Sequence, residues 1–234
     1  EEDAQNLRAY NCPSCGAQLI ADKNTAATSC PYCGNPTIVP SQFSGALKPD
    51  YVIPFKMNKD EAIKKLTDFY GGKPLLPDAF KERNHIEDIK GVYVPFWLYD
   101  GTADVDMAFR GTISHSHREG DYTVTVTENY SILRQGTVQF NRVPADGSSK
   151  MPDEFMDAIE PYNYNEMIPF EMGYMTGYLA DRYDVTAEQD RNRVNTRMRT
   201  SSADKIRETV RGYHTLFPRR SNIYIREDKV HYAF

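Results

Sequence analysis

Apolar residues recur at every second position through the middle of the chain. Ala103, Val105, Met107 and Phe109 alternate with polar neighbours; so do Tyr122, Val124, Val126, Tyr130 and Ile132, with Thr123, Thr125 and Thr127 opposite. A period of two turns one strand face to a core and the other to water, so these runs predict an antiparallel meander with one wet face. The polar stretch from His115 to Asp121 reads as the hairpin tip, and Gly136 as a turn into a further strand, Thr137-Val138-Gln139-Phe140.

The flanks follow other periods. Tyr51-Val52-Ile53-Pro54-Phe55 reads as a short strand, and Val92 to Tyr99 echoes it. Both are expected at sheet edges, where proline needs no ladder donor. Between them, Asn58 can cap a helix with Glu61, its stripe being Ala62, Ile63, Leu66, Phe69 and Tyr70 and its end Gly71-Gly72. After the loop Pro144 to Lys150, a short helix over Asp153–Glu160 is expected to bury Phe155, Met156 and Ile159. From Tyr162 to Tyr183 no period settles. Thr186 and Gln189 open a long helix to about Tyr213, with Ser201-Ser202 as its candidate break. Asn222–Arg226 and Lys229–Phe234 are expected to pair around Glu227-Asp228.

The first forty residues carry a different signal. Cys12-Pro13-Ser14-Cys15-Gly16 and Cys30-Pro31-Tyr32-Cys33-Gly34 are two C-P-x-C-G knuckles, and they hold all four cysteines of the chain. Each sets two thiolates at a tight turn, and the glycine permits the positive φ that aims amide N–H groups at sulfur. The spacing leaves room for one short hairpin between the knuckles. Cys12, Cys15, Cys30 and Cys33 therefore predict a tetrahedral four-sulfur site that selects Zn2+ or, less often, a single iron. Four unrelated thiols or two disulfides are the weaker alternative, because pairing within C-x-x-C is strained and all four cysteines fall in one small window. The fold class is α+β: a zinc ribbon at 8–40, a linker at 41–50, and a domain at 51–234 built on an antiparallel sheet with helices.

Composition narrows the function. Twenty-eight Lys and Arg stand against 33 Asp and Glu, and 40% of the residues are hydrophobic. No apolar run approaches the ~18 residues of a membrane span, and no signal peptide is evident. With every cysteine committed to metal, a reducing, cytoplasmic setting is favoured. Residue 1 is not Met and the chain stops in an aromatic strand, Tyr232-Ala233-Phe234, so it is expected to be an excerpt of a longer protein.

Between Tyr10 and Pro40 the only charged residues are Asp22 and Lys23. Phosphate recognition needs several cations, which disfavours nucleic acid as the partner of this segment. Arg182 to Arg226 is more basic. On a helix, Arg193, Arg197 and Arg211 would share a face with Asp204 and Glu208, either as a solvated ion-pair face or as a docking surface for an acidic partner or anionic membrane. His115, His117 and Asp121 read as an ordinary polar tip rather than a metal site. Asp104 and Asp106 read as surface carboxylates, and Ser148, Ser149 and Lys150 as loop and cap residues. No Walker A, G-x-G-x-x-G or G-x-S-x-G motif is present.

The run from Tyr10 through Thr37 resembles bacterial proteins with a TFIIB-type zinc ribbon. So do Ser41-Gln-Phe-Ser-Gly45, Gly91-Val-Tyr-Val-Pro-Phe-Trp97, Val143-Pro-Ala-Asp-Gly-Ser-Ser-Lys150 and Gly177-Tyr-Leu-Ala-Asp181. Some members are described as replication-restart helicase-like, a label that fits poorly because this chain has no ATP-binding motif. The resemblance implies Cys12, Cys15, Cys30 and Cys33 as metal ligands and, in the longer proteins, another ribbon or a C-terminal membrane anchor. It further implies partners of the PspA, SPFH and TPM types in phage-shock-like envelope-stress systems. The expected function is a non-enzymatic zinc-binding adaptor, tethered to the cytoplasmic membrane through regions outside this chain. The alternatives are a nucleic-acid-binding accessory protein and an enzyme acting on a small molecule.

Overall fold

The computed structural model describes residues 7–16, 18–22, 25–30, 33, 35–38, 48–71, 91–175 and 178–234; the expected linker residues 41–47 and the loop 72–90 lie outside the described residues. The strands are β1 (Leu7–Asn11), β2 (Gln18–Asp22), β3 (Thr25–Ser29), β4 (Pro36–Ile38), β5 (Tyr51–Val52), β6 (Val92–Tyr93), β7 (Phe96–Glu119), β8 (Tyr122–Asp146), β9 (Ile168–Pro169), β10 (Leu179–Asp181) and β11 (Thr215–Ala233). The helices are α1 (Lys59–Gly71), α2 (Asp153–Ala158) and α3 (Ala187–Glu208). The fold is α+β. Two compact units form, one from residues 1–96, 146–186 and 231–234, the other from 97–145 and 187–230. Residues 51–234 are thus shared between the two.

The second unit is built on a long hairpin. β7 and β8 run 24 and 25 residues, against about five or six for a common strand. They turn at Gly120-Asp121, where Gly120 takes φ +61°. Facing hydroxyls set the register: Ser114 with Thr127 at 2.9 Å and Ser116 with Thr125 at 2.8 Å. Thr137 donates to Asp104 at 2.9 Å in the same register. Gly136 is therefore no turn. Ile132, Val138 and Phe140 keep one parity across it, so the strand continues.

β11 pairs antiparallel with the other side of β7. His214 N–H donates to the Thr112 carbonyl at 2.8 Å, and Arg220 meets Asp106 at 2.8 Å. The hairpin expected around Glu227-Asp228 is one unbroken strand. Glu227 instead forms an ion pair with Arg191 at 2.9 Å and accepts a hydrogen bond from Asn195 Nδ2 at 3.0 Å, both on α3.

On α3, Val194 and Met198 are buried with Tyr99 and Ala145, Ala203 and Ile206 pack against the cluster of Ala103, Val105, Met107 and Phe109, and Ser202 is buried as well. α3 runs through Ser201-Ser202 without a break, and the buried Ser202 hydroxyl is satisfied within the helix by donating to the Met198 carbonyl at 2.7 Å. It ends at Glu208, short of Tyr213, where Thr209 and Val210 turn back on Ile206 and Arg207.

In the first unit β1 and β2 form an antiparallel pair from Leu7↔Asp22 to Asn11↔Gln18. A second sheet runs β4-β3-β10-β6, with β3 antiparallel to β4 and β10 and β10 parallel to β6. Among the described residues β6 is an edge, but the strand expected over Val92–Tyr99 breaks at Val94-Pro95, and its second half opens β7, which lies between β8 and β11. β5 is not an edge: it pairs antiparallel with β9 and parallel with the end of β11 at Ala233↔Tyr51. Pro54 is tolerated because it lies past the two-residue strand.

The expected capping box opens α1: Glu61 N–H donates to Asn58 Oδ1 at 2.9 Å, and Asn58 N–H to Glu61 Oε2 at 3.2 Å. α2 buries only Met156; Phe155 and Ile159 are exposed, since they share the i, i+4 stripe that faces water. From Tyr162 to Tyr183 two 3-10 turns, Tyr164–Glu166 and Met172–Met175, alternate with β9 and β10, so no single period could emerge. Among the described residues no helix is long and apolar enough to cross a membrane.

Candidate metal centre

The β1–β2 pair and the β3–β4 pair each lie beside one knuckle. Gly16 N–H donates to the Cys12 carbonyl at 2.9 Å, and Gly16 takes φ +73° with open space where a Cβ would point. The second knuckle closes by Cys30 N–H donating to the Asn35 carbonyl at 2.9 Å. The Asn35 side chain donates to Ser14 Oγ, tying one knuckle to the other.

The four sulfurs of Cys12, Cys15, Cys30 and Cys33 all lie within 4.8 Å of one another. Cys12 Sγ is 3.8 Å from Cys33 Sγ, and Cys15 Sγ 3.7 Å from Cys30 Sγ. A disulfide would need about 2.0 Å. A tetrahedron with metal–sulfur bonds of about 2.3 Å has edges near 3.8 Å, so the cage has the size of a four-sulfur metal site. Cys12 and Cys30 are buried and Cys15 and Cys33 exposed, so the site is walled on one side and open on the other. These residues could hold a metal ion.

The Asn35 backbone N–H draws the Cys33 thiol down, but desolvation and hydrogen bonds shared with Cys15, Cys30 and Cys12 outweigh it, pushing the thiol up to about 12. Asn35 was not legible as part of this site; its only signal is its place two residues after Cys33.

Other candidate residues fall elsewhere. Arg193 and Arg197 lie half-buried on α3, and Arg197 Nη1 donates to the Pro144 carbonyl at 2.6 Å. Arg211 lies past the helix end, exposed, with its Nε 3.4 Å from the Glu208 carbonyl. The structure therefore does not set the three on one helical face. His115 and His117 lie within β7 before its turn, and Asp104 and Asp106 pair with Arg226 and Arg220 at 3.1 and 2.8 Å. The two motifs around Lys150 and Asp181 meet: Lys150 Nζ is 2.8 Å from Asp181, and Ser149 Oγ donates to Asp184 at 2.6 Å.

Comparison with curated proteins finds similarity to the uncharacterised protein YdjG of Bacillus subtilis (strain 168), 34% identical over 189 residues. The match takes in 81% of this chain, which spans about half (55%) of the length of that relative. No family model matches, and no solved structure matches.

Proposed function

We propose that this chain is a zinc-binding adaptor that recruits other proteins and carries out no chemistry of its own. The observation that supports it is the four-sulfur cage, whose 3.7 and 3.8 Å edges suit a closed tetrahedral structural site. Such a site donates all its ligands from protein, and its binding energy goes into folding. Zinc is the reading favoured by four thiolates at this size; iron shares the geometry and would show by colour.

By the resemblance described above, the partners would be PspA-, SPFH- or TPM-type proteins at the cytoplasmic face of the membrane, with any tether supplied by segments outside this chain. Elemental analysis should return about one zinc per chain, and Cys15→Ser or Cys33→Ser should abolish retention through gel filtration. Metal-free protein with freely titrating thiols would sink the zinc assignment. Purified PspA-, SPFH- and TPM-type proteins should be tested against the intact gene product; failure of all three to bind would remove the partner assignment while leaving the metal site standing.

A further inference from the structure

β8 is the outermost strand of its sheet, with β7 on one side and no strand on the other among the described residues. From Tyr122 to Glu128 it belongs to a two-stranded arm. β11 begins only opposite Thr112, and α3 ends at Glu208. A lone two-stranded ribbon is marginally stable in water.

The arm is sorted by face. Ser114, Ser116, Thr125 and Thr127 form a hydroxyl ladder on one side. On the other stand His115 and His117 with Tyr122, Val124, Val126 and Tyr130, of which Tyr122 is 78% and Val126 50% exposed. Natural sheets protect such edges with proline, lysine, bulges or a covering loop. β11 does carry Pro218, Arg219 and Arg220. Tyr122-Thr-Val-Thr-Val-Thr127 carries nothing of the kind: six uncharged residues of high β propensity without proline or glycine.

We propose that this edge pairs antiparallel with the same edge of a second copy of the chain, across a two-fold axis at Val126. A two-residue turn closes on the Glu119–Tyr122 pair, so even-numbered residues here aim their N–H and C=O groups at β7 and odd-numbered ones aim theirs outward. Pairing about Val126 then sets Thr125 opposite Thr127 and Thr123 opposite Asn129, each pair exchanging both ladder hydrogen bonds. On the apolar face Val126 meets its twin and Tyr122 meets Tyr130 of the other copy. Glu128 faces Val124, so no like charges oppose. A strand complementary to itself in hydrogen bonds, shape and charge selects its own copy as partner.

Sedimentation of the purified, metal-loaded chain over a concentration series should show a monomer–dimer equilibrium. Val126→Lys sets two lysines opposite one another, with Cβ atoms about 5 Å apart, and should weaken the dimer by roughly ten-fold or more, with the melting temperature extrapolated to low concentration unchanged. Val126→Cys should form an inter-chain disulfide under mild oxidation, because directly opposed residues of this kind have Cα atoms about 4.5 Å apart. Thr123→Cys, roughly 20 Å from its twin in this register, should not. A monomer at all concentrations, a dimer indifferent to Val126→Lys, or cross-linking through Thr123→Cys as readily as through Val126→Cys would each overturn the proposal.

Discussion

Gly101 and Gly136 occupy paired strands and meet opposite surroundings. A Cβ on Gly101 would lie 2.7 Å from the backbone oxygen of Arg226, which cannot swing aside as a side chain can. Gly101→Ala should therefore destabilise the second unit by about 1–3 kcal/mol in denaturant melts. At Gly136 the nearest atom to a Cβ is the tip of Ile206 at 3.5 Å, an ordinary contact. Gly136→Ala should be neutral or stabilising by about 0.5 kcal/mol, since glycine inside a strand costs conformational entropy. Equal losses from the two changes would refute this reading of the close approach. At this scale the four cysteines were legible because type and spacing both speak for a metal. Asn35 was not, since its hydrogen bonds to the knuckles depend on a turn that no residue pattern announces. The same holds for Arg142, which takes φ +57° while its N–H donates to Asp100 at 2.7 Å.

Among elements, the α1 capping box was readable because its two bonds lie three residues apart. The long strands were misread where turn-forming residues had partners in space: Gly136 beneath Ile206, and Glu227 bound to Arg191 and Asn195. Least readable was the partner of β3. That strand, lying between the two knuckles, pairs with β10 at Ala180↔Ala27, some 150 residues away in sequence. β10 also carries Asp181, which holds Lys150. The cysteine-bearing segment is thus stitched into a sheet of the first unit, and metal should matter beyond its own ligands. Chelation should raise amide exchange at Ala180 and Asp181 by roughly ten-fold or more while leaving α3 protected. Protection at β10 that ignores the metal would show the knuckles to be an independent appendage.

For the whole molecule, three tyrosines report on integrity. Tyr99, with its hydroxyl donating to the Ala187 carbonyl at 2.6 Å, Tyr162 and Tyr232 are all pushed well above the ordinary phenol value, in each case chiefly by burial. A raised native value means the unfolded chain loses the proton first. Their contribution is therefore complete below the ordinary phenol value of about 10 and is lost as pH climbs past it. Alkaline titration should show a late block of phenolate absorbance arriving together with loss of circular dichroism. Smooth ionisation of every tyrosine with the fold intact would contradict this.

The chain crosses from one unit to the other at 96/97, 145/146, 186/187 and 230/231. Neither half can be excised as a single stretch of gene, and one proteolytic nick at a crossing leaves the pieces joined by three remaining threads. A deletion of only residues 231–234 would strike the unit that holds the amino terminus, taking away the buried Phe234 and the neighbour of Tyr51. Evolution would have to inherit, lose or duplicate the two bodies together.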